Sequence, residues 1–472
     1  MARLEERNYT YFTTVRGMCR GCRQVTPARV LFRDGAVWQE SLCPTCDTTP
    51  ALIAADQSWY LANVLKPMRD RAPIAGSHPS NVGCPHDCGP CALHASPCQL
   101  PVVSVTNACD MRCPICFTYN RPDRVYHMPV DEMRRTVDWI IESSSSVDLI
   151  NITGGEPTLH PQILDILECC RRDSIGRVTM NSNGLRLARD RELCDRLAEL
   201  GVCVVLSLNT LDARICERMH GRDVVAEKLQ AIENLTAAGV RMTLMNVMAR
   251  GLNDTAMGDV MRLMRGNDSI LSVTVQTMTY TGQGGGSMNR ARHIPVDEAA
   301  RIVCEHAGGE VAFDDFVTRP SAHPLCYLVC YLLKHGDTFV PLTRLAPAAE
   351  IHRRLADSYL PRLEDDGAEF FTDAINELYA CGRTEHMGAL RDLVTRLYPP
   401  GKALTAHERQ RIAESSVRTI YVHAHMDEDT FDCSRAMLCP DLVPAEPGRL
   451  IPACTYNLLY RMQDERYYVE QH

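Results

Sequence analysis

The chain is 472 residues long, 45% apolar and 23% charged, with a formal net charge of −9, enough for several domains and a large core. Its acidic balance provides no global basic field for nucleic acid, no apolar run is long enough to span a membrane, and the opening MARLEERNYTYF lacks a secretory apolar region. The expected setting is cytoplasmic, where 23 cysteines point to metal rather than disulfides.

In chain order, Cys19, Cys22, Cys43 and Cys46 come first, as C-x2-C-x20-C-x2-C. Each C-x2-C turn can aim two thiolates at one tetrahedral ion. The segment between them alternates around Asp34-Gly35 and predicts a hairpin. Zinc-ribbon and rubredoxin-type iron sites share this ligand set, so one Zn or Fe ion is expected.

Seven cysteines then fall within residues 84–116. Cys84, Cys88, Cys91 and Cys98 suffice to hold a [4Fe–4S] cluster completely. Cys109, Cys113 and Cys116 hold only three irons of a cubane and leave the fourth open to another ligand. Zinc knuckles sharing ligands are the alternative.

Downstream, VDLINITGGEPTLH reads as an apolar strand ending in Gly154, Gly155, Glu156 and Pro157, where glycines permit close backbone approach. Strand-like runs at 102–106, 148–152, 177–181, 203–209, 241–248 and 271–278 alternate with amphipathic helical stretches such as 130–143 and 224–239. Asn181, Asn183, Ser207 and Asn209 fall at strand ends, where parallel barrels place their chemistry; strand-end capping is the plain alternative. The glycine-rich stretch 280–290 is expected to be a loop, and no Lys-Ser/Thr follows to make it a phosphate loop. From about 316 the pattern is mostly helical. His423 and His425 share one face of a strand, as ligands, substrate contacts or simply half-buried rings. Cys326, Cys330, Cys433, Cys439 and Cys454 form a looser late set. Cys169, Cys170, Cys194, Cys203, Cys216, Cys304 and Cys381 read as core or surface thiols.

The C-x3-C-x2-C triad after a strand, with Phe117 next to it and Gly-Gly-Glu about forty residues on, resembles the signature of radical S-adenosylmethionine (SAM) enzymes. The resemblance implies an α/β fold, a partial (β/α)6 barrel, in which the open iron binds the amine and carboxylate of SAM. It implies SAM contacts at Gly154, Gly155, Glu156, Asn183, Ser207 and Asn209, although Ser207-Leu208-Asn209 stands where the family would lead one to expect Ser-Leu-Asp.

Together with the N-terminal cysteines, CPHDCGPCALH, MDEDTFDCSRAMLCP and IPACTYNLLYR resemble the subgroup holding tetraether lipid synthase and the class D radical SAM methylases. That implies a rubredoxin/zinc-ribbon-like module (1–75), an auxiliary-cluster segment (76–100), the barrel (101–315) and a C-terminal auxiliary-cluster domain (316–472). The second auxiliary cluster falls to Cys326, Cys439 and Cys454, with Cys330 and Cys433 competing for the fourth place. The expected cofactors are three [4Fe–4S] clusters, SAM and one Zn or Fe ion. The implied reaction cleaves SAM reductively to a 5′-deoxyadenosyl radical and forms a C–C bond, as C-methylation of a small pterin-like substrate with a methylene-tetrahydrofolate-type donor. The alternative is radical coupling of lipid alkyl chains, which the lack of a membrane-binding amphipathic segment disfavours. A non-catalytic electron carrier has no use for an open triad followed by Gly-Gly-Glu. Expected partners are a small-molecule or lipid substrate and an electron donor such as flavodoxin or ferredoxin, with no nucleic acid and no transmembrane segment.

Overall fold

Thr10–Met18 (β1), Val25–Arg33 (β2), Ala36–Ser41 (β3) and Ala51–Ala54 (β4) form an antiparallel sheet in a computed structural model that describes residues 7–47, 50–66, 79–89, 91–118, 124–144, 147–356, 358–360, 367–446 and 449–466. Asp34 (φ 51) and Gly35 (φ 75) both turn left-handed between β2 and β3, the backbone a two-residue hairpin loop demands.

Leu100–Thr106 (β5), Val147–Gly154 (β6), Ile175–Ser182 (β7), Cys203–Ser207 (β8), Met242–Met248 (β9) and Ile270–Thr277 (β10) pair in parallel in that order. Parallel neighbours need crossovers, and helices such as Val130–Ser143, Arg191–Glu199, Val225–Ala237 and Met257–Gly266 supply them. Their apolar stripes (Met133, Val137, Ile140; Leu193, Cys194, Leu197) share one core with the strands.

The region after 316 holds the expected helices but adds strands to them. Val317–Thr318 (β11), Tyr327–His335 (β12), Thr338–Pro341 (β13) and Val417–His423 (β14) join the barrel sheet: β14 lies parallel on β10, and β12 antiparallel on β14. YLVCYLL in β12 is buried throughout, which makes it a two-faced core strand rather than a helix stripe. The helices Ala348–Arg354, Gly367–Ala380, Met387–Leu397 and Ala406–Ser416 are connected to a separate core under β12. At the other sheet end, Asp441–Glu446 (β15) pairs in parallel with the start of β5, and Arg449–Pro452 (β16) follows antiparallel. The two ends meet at Asp441, whose carboxylate accepts hydrogen bonds from Tyr327 and Tyr359 and lies 3.8 Å from His423 Nε2.

The N-terminal sheet is tied to this body at Asp297, whose buried carboxylate accepts the Ala55 and Asp56 backbone N–H groups at 2.9–3.1 Å. The expected boundary at 75/76 lies outside the described residues. Asp297→Ala leaves those donors unmet inside the junction, a cost of about 2–4 kcal/mol. We expect the N-terminal sheet to be cut earlier in limited proteolysis, with cluster iron unchanged.

Candidate active site

The triad loop leaves β5 at Thr106 and carries Cys109, Cys113 and Cys116 along one wall of a cavity of about 370 Å³ inside the barrel. The end of β6 holds this loop. Gly155 N–H donates to the Thr106 carbonyl (2.8 Å) and Glu156 N–H to the Ala108 carbonyl (2.7 Å). A Cβ on Gly154 would stand 2.2 Å from the Thr106 oxygen, and one on Gly155 2.2 Å from the Ala108 oxygen. Gly154 also has φ +146, so both positions require glycine.

Glu156 is buried and its carboxylate is already engaged. Oε1 accepts from Thr158 N–H (3.2 Å), Thr158 Oγ1 (2.6 Å) and Ser182 Oγ (2.9 Å), and Oε2 from Asn183 N–H (2.7 Å). Burial raises its pKa, against which the Asn183, Thr158 and Ser182 hydrogen bonds act. Three of these donors sit on Oε1 and one on Oε2, so Glu156 locks the ends of β6 and β7 together while lining the cavity in which its contact with SAM is expected.

Asn209, where a ribose contact is expected, is buried and hydrogen-bonded within the chain. Its Oδ1 accepts from Val247 N–H (2.7 Å) and its Nδ2 meets His220 Nε2 (3.2 Å), while His220 Nδ1 lies 3.4 Å from Cys113 Sγ. It is buried as a support for His220. Ser207 lines the cavity and its carbonyl accepts from buried Lys228, which also reaches the Asn183 carbonyl (3.1 Å). Burial lowers the Lys228 pKa to about 8, with the neighbouring thiols Cys113 and Cys216 opposing. The Asn183 side chain donates to Asp110 on the triad loop (2.7 Å). His220 and Lys228 sit on helices whose pattern marks only a core face, so sequence reasoning missed them.

The glycine-rich stretch is not a loop. Gly282–Ser287 is a short helix, and Gly284 N–H donates to the Cys116 carbonyl (2.8 Å). A Cβ on Gly282 would stand 2.3 Å from the Phe117 oxygen. The glycines let this helix lie directly on the triad loop.

The donor set suits an iron–sulfur centre with an adjacent polar ligand. Burial pushes the Cys109 and Cys113 thiols up to about 12; to serve as thiolate ligands they would release their protons as a cation binds. Asn181 lines the same cavity, and its buried Oδ1 has no hydrogen-bond partner among the described residues, an acceptor left for a ligand.

The other cysteines form three groups. Cys19, Cys22, Cys43 and Cys46 place their sulfurs within 4.8 Å of one another, with Cys22 and Cys43 3.7 Å apart; a tetrahedron with ~2.3 Å metal–sulfur bonds has edges of about 3.8 Å. A Cβ on Gly21 would meet Cys46 Sγ at 3.0 Å, so the first knuckle needs its glycine. Cys84 is joined by Cys88 and by Cys433, whose Sγ lies 3.7 Å from the Cys84 carbonyl. Thiol hydrogen bonds from Cys433 and Cys88 lower the Cys84 thiol, and the Cys88 thiol is raised by the Cys84 hydrogen bond, by burial and by the nearby charges of Cys84 and Cys91. Cys98 does not join them. It is 3% exposed in the barrel core, and its charged neighbour is Asp441. Backbone bonds from Ala95 to Met437 and from Gln99 to Pro440 carry the chain to the base of β5 before Cys98 can turn back.

Cys326, Cys439 and Cys454 form the last group: burial pushes the Cys439 thiol up, with Asp441, Cys454 and Cys326 adding to it. Of the two competitors for a fourth place there, Cys433 belongs to the Cys84 group and Cys330 is sealed in the β12 core, with Asp315 and Cys304 as neighbours. His423 and His425 both line the cavity.

Residues 103–264 match the Radical SAM superfamily. That stretch of the chain is a radical SAM domain. Beyond that domain, the chain is 24% identical, over 95% of its length and 94% of the relative's, to the 7,8-dihydro-6-hydroxymethylpterin dimethyltransferase of Methanocaldococcus jannaschii. It is 31% identical to the GTP 3′,8-cyclase of Chlorobaculum tepidum over 35% of this chain and 50% of that one. Among solved structures, Streptococcus suis SuiB bound to precursor peptide SuiA aligns with a TM-score of 0.37 and 20% identity, over 44% of this chain and 45% of that one.

Gly155→Ala tests the clamp. With its new Cβ against the Ala108 carbonyl, the triad loop must shift, and reconstituted iron should fall by about four per chain, one cubane. Gly266→Ala, at a helix end with open space around it, should leave the iron unchanged.

Proposed function

We propose that the chain is a radical SAM C-methyltransferase acting on a small pterin-like substrate, with a methylene-tetrahydrofolate-type carbon donor. The observation that carries this reading is the end-to-end match to the pterin dimethyltransferase, which spans the cysteine groups on both sides of the barrel. The cavity supports it. Asp441 supplies a buried acceptor, and Tyr327 and His423 stack at 4.1 Å as a flat wall beside it. A carboxylate next to an aromatic face suits the N–H edge of a planar aminopyrimidine ring. Among the described residues no helix is long and apolar enough to cross a membrane.

In this reading Cys109, Cys113 and Cys116 hold the SAM cluster. Gly154 and Gly155 bring backbone close to SAM, with Asn181, Asn183 and Ser207 beside it. When bound, the cluster and SAM supply a radical able to remove hydrogen from an unactivated carbon. The chain's part is to orient and enclose. Glu156, Asn209, His220 and Lys228 fix the wall, while Tyr359 and Tyr421 close the cavity near the amino ends of β5 and β6. Cys84, Cys88, Cys91 and Cys433 hold one auxiliary cluster; Cys326, Cys439 and Cys454 contribute to a second; the N-terminal cysteines hold one Zn or Fe ion. A flavodoxin or ferredoxin supplies the electron.

Anaerobic incubation with SAM, dithionite, 7,8-dihydro-6-hydroxymethylpterin and methylene-tetrahydrofolate should yield 5′-deoxyadenosine and a pterin heavier by one or more methylene units. Changing Cys109, Cys113 and Cys116 together to Ala should abolish both. Formation of 5′-deoxyadenosine without any change in pterin mass would refute the substrate assignment.

A pair of single substitutions tests the first auxiliary site. Cys433→Ala should remove about four irons per chain, whereas Cys98→Ala should remove none. The opposite pattern would restore Cys98 as the ligand.

A further inference from the structure

Three thiols meet at the C-terminal group, and a cubane has four corners. The chain from Ala424 to Met426 is laced around them. Ala424 N–H donates to the Cys326 carbonyl (3.0 Å), and Met426 N–H reaches Cys454 Sγ (3.3 Å). Between these two anchors His425 places Nδ1 3.3 Å from Cys454 Sγ. Of the other histidines nearby, His94 turns Nε2 to the Cys439 carbonyl (3.0 Å), His323 accepts the Leu325 N–H at Nδ1 (3.2 Å), and His423 stacks on Tyr327 with Nε2 3.8 Å from Asp441. Arg435, 3.5 Å from Cys326 Sγ, has no lone pair to give. The Asp441 carboxylate is held by two tyrosine hydroxyls and lines the cavity, where it is the acceptor proposed for substrate. Cys330 and Cys433 belong elsewhere.

We propose that His425 is the fourth protein ligand of the C-terminal auxiliary cluster, through Nδ1, completing a Cys326–Cys439–Cys454–His425 set. Imidazole is an established iron ligand beside thiolates in iron–sulfur centres. The assignment rests on the reading of those three cysteines as a cluster site and deepens it: with four protein ligands the cluster has no open iron, so it carries electrons rather than holding substrate. Its position fits that task. The His425 ring stacks on Phe117, centroids 6.0 Å apart at 28°, and Phe117 directly follows Cys116. One side chain thereby touches both the C-terminal thiols and the triad loop.

The test uses the full chain carrying Cys109, Cys113 and Cys116→Ala, so that the SAM cluster is absent, with SAM omitted and the clusters reduced. Pulsed EPR should show a strongly coupled nitrogen that responds to isotopic labelling of histidine. His425→Ala should lose that coupling and drop the iron from about eight to about four per chain. His425→Cys should lose the coupling but keep the iron. Only weak nitrogen coupling in the parent would mean that His425 merely hydrogen-bonds Cys454, which overturns the inference; so would a strong coupling that survives in His425→Ala. If Cys326, Cys439 and Cys454→Ala leave the iron unchanged, no cluster lies there, and the auxiliary-site reading fails together with the ligand.

Discussion

Two glycines without side chains at the end of β6 are the constraint on which the site depends. Because Gly154 and Gly155 carry no Cβ, the β6 backbone can lie against Thr106 and Ala108, and two N–H donors pin that segment. Cys109 begins one residue later. The position of the thiol triad is thus set by main-chain contact, which side-chain motion cannot relax. Glu156 extends the hold to β7, and the glycine-rich helix closes on Cys116 and Phe117 from the other side. A loop bearing three ligands needs such over-determination, since a cluster tolerates little displacement of its sulfurs.

The C-terminal third extends the barrel sheet. β14 and β12 extend the sheet past β10, and β15 extends it from β5. The connecting segment from Ala424 to Pro440 then serves several sites in turn: His425 at Cys454, Phe431 at Gln39 of the N-terminal sheet (2.8 Å), Cys433 at Cys84, and Cys439 beside Asp441. Met18, Phe431, Cys433 and Cys454 share one apolar cluster, with Cys84 packed against it. The cysteine groups at the two ends of the chain are therefore neighbours through a common core.

Much of this was legible in sequence. The β-branched runs marked the six parallel strands, Asp34-Gly35 marked its hairpin, and the N-terminal C-x2-C pairs met as their spacing required. Spacing is silent where a neighbour comes from far away. Cys98 follows Cys91 in the local pattern, while Cys433 reaches Cys84 from 349 residues away, and local pattern carries no record of such a contact. Glu156 lines the cavity and Asn209 lies behind it against His220, and each is engaged by neighbours that only the fold supplies. The glycines of 282–286 suggested a flexible loop because their use, backbone packed on backbone, shows only when the triad loop is beside them. β12 read as part of a helical region because an apolar run buried on both faces has no period.

The account stands or falls on whether the clamped triad presents an open iron to SAM. The direct measurement is pulsed EPR of the reduced, reconstituted protein with SAM isotopically labelled at its amine nitrogen and carboxylate oxygen. Hyperfine coupling from both labels to the cluster is predicted, lost when Cys109, Cys113 and Cys116 are changed to Ala. An absence of coupling in the intact protein, or the same coupling in the triple variant, would contradict it.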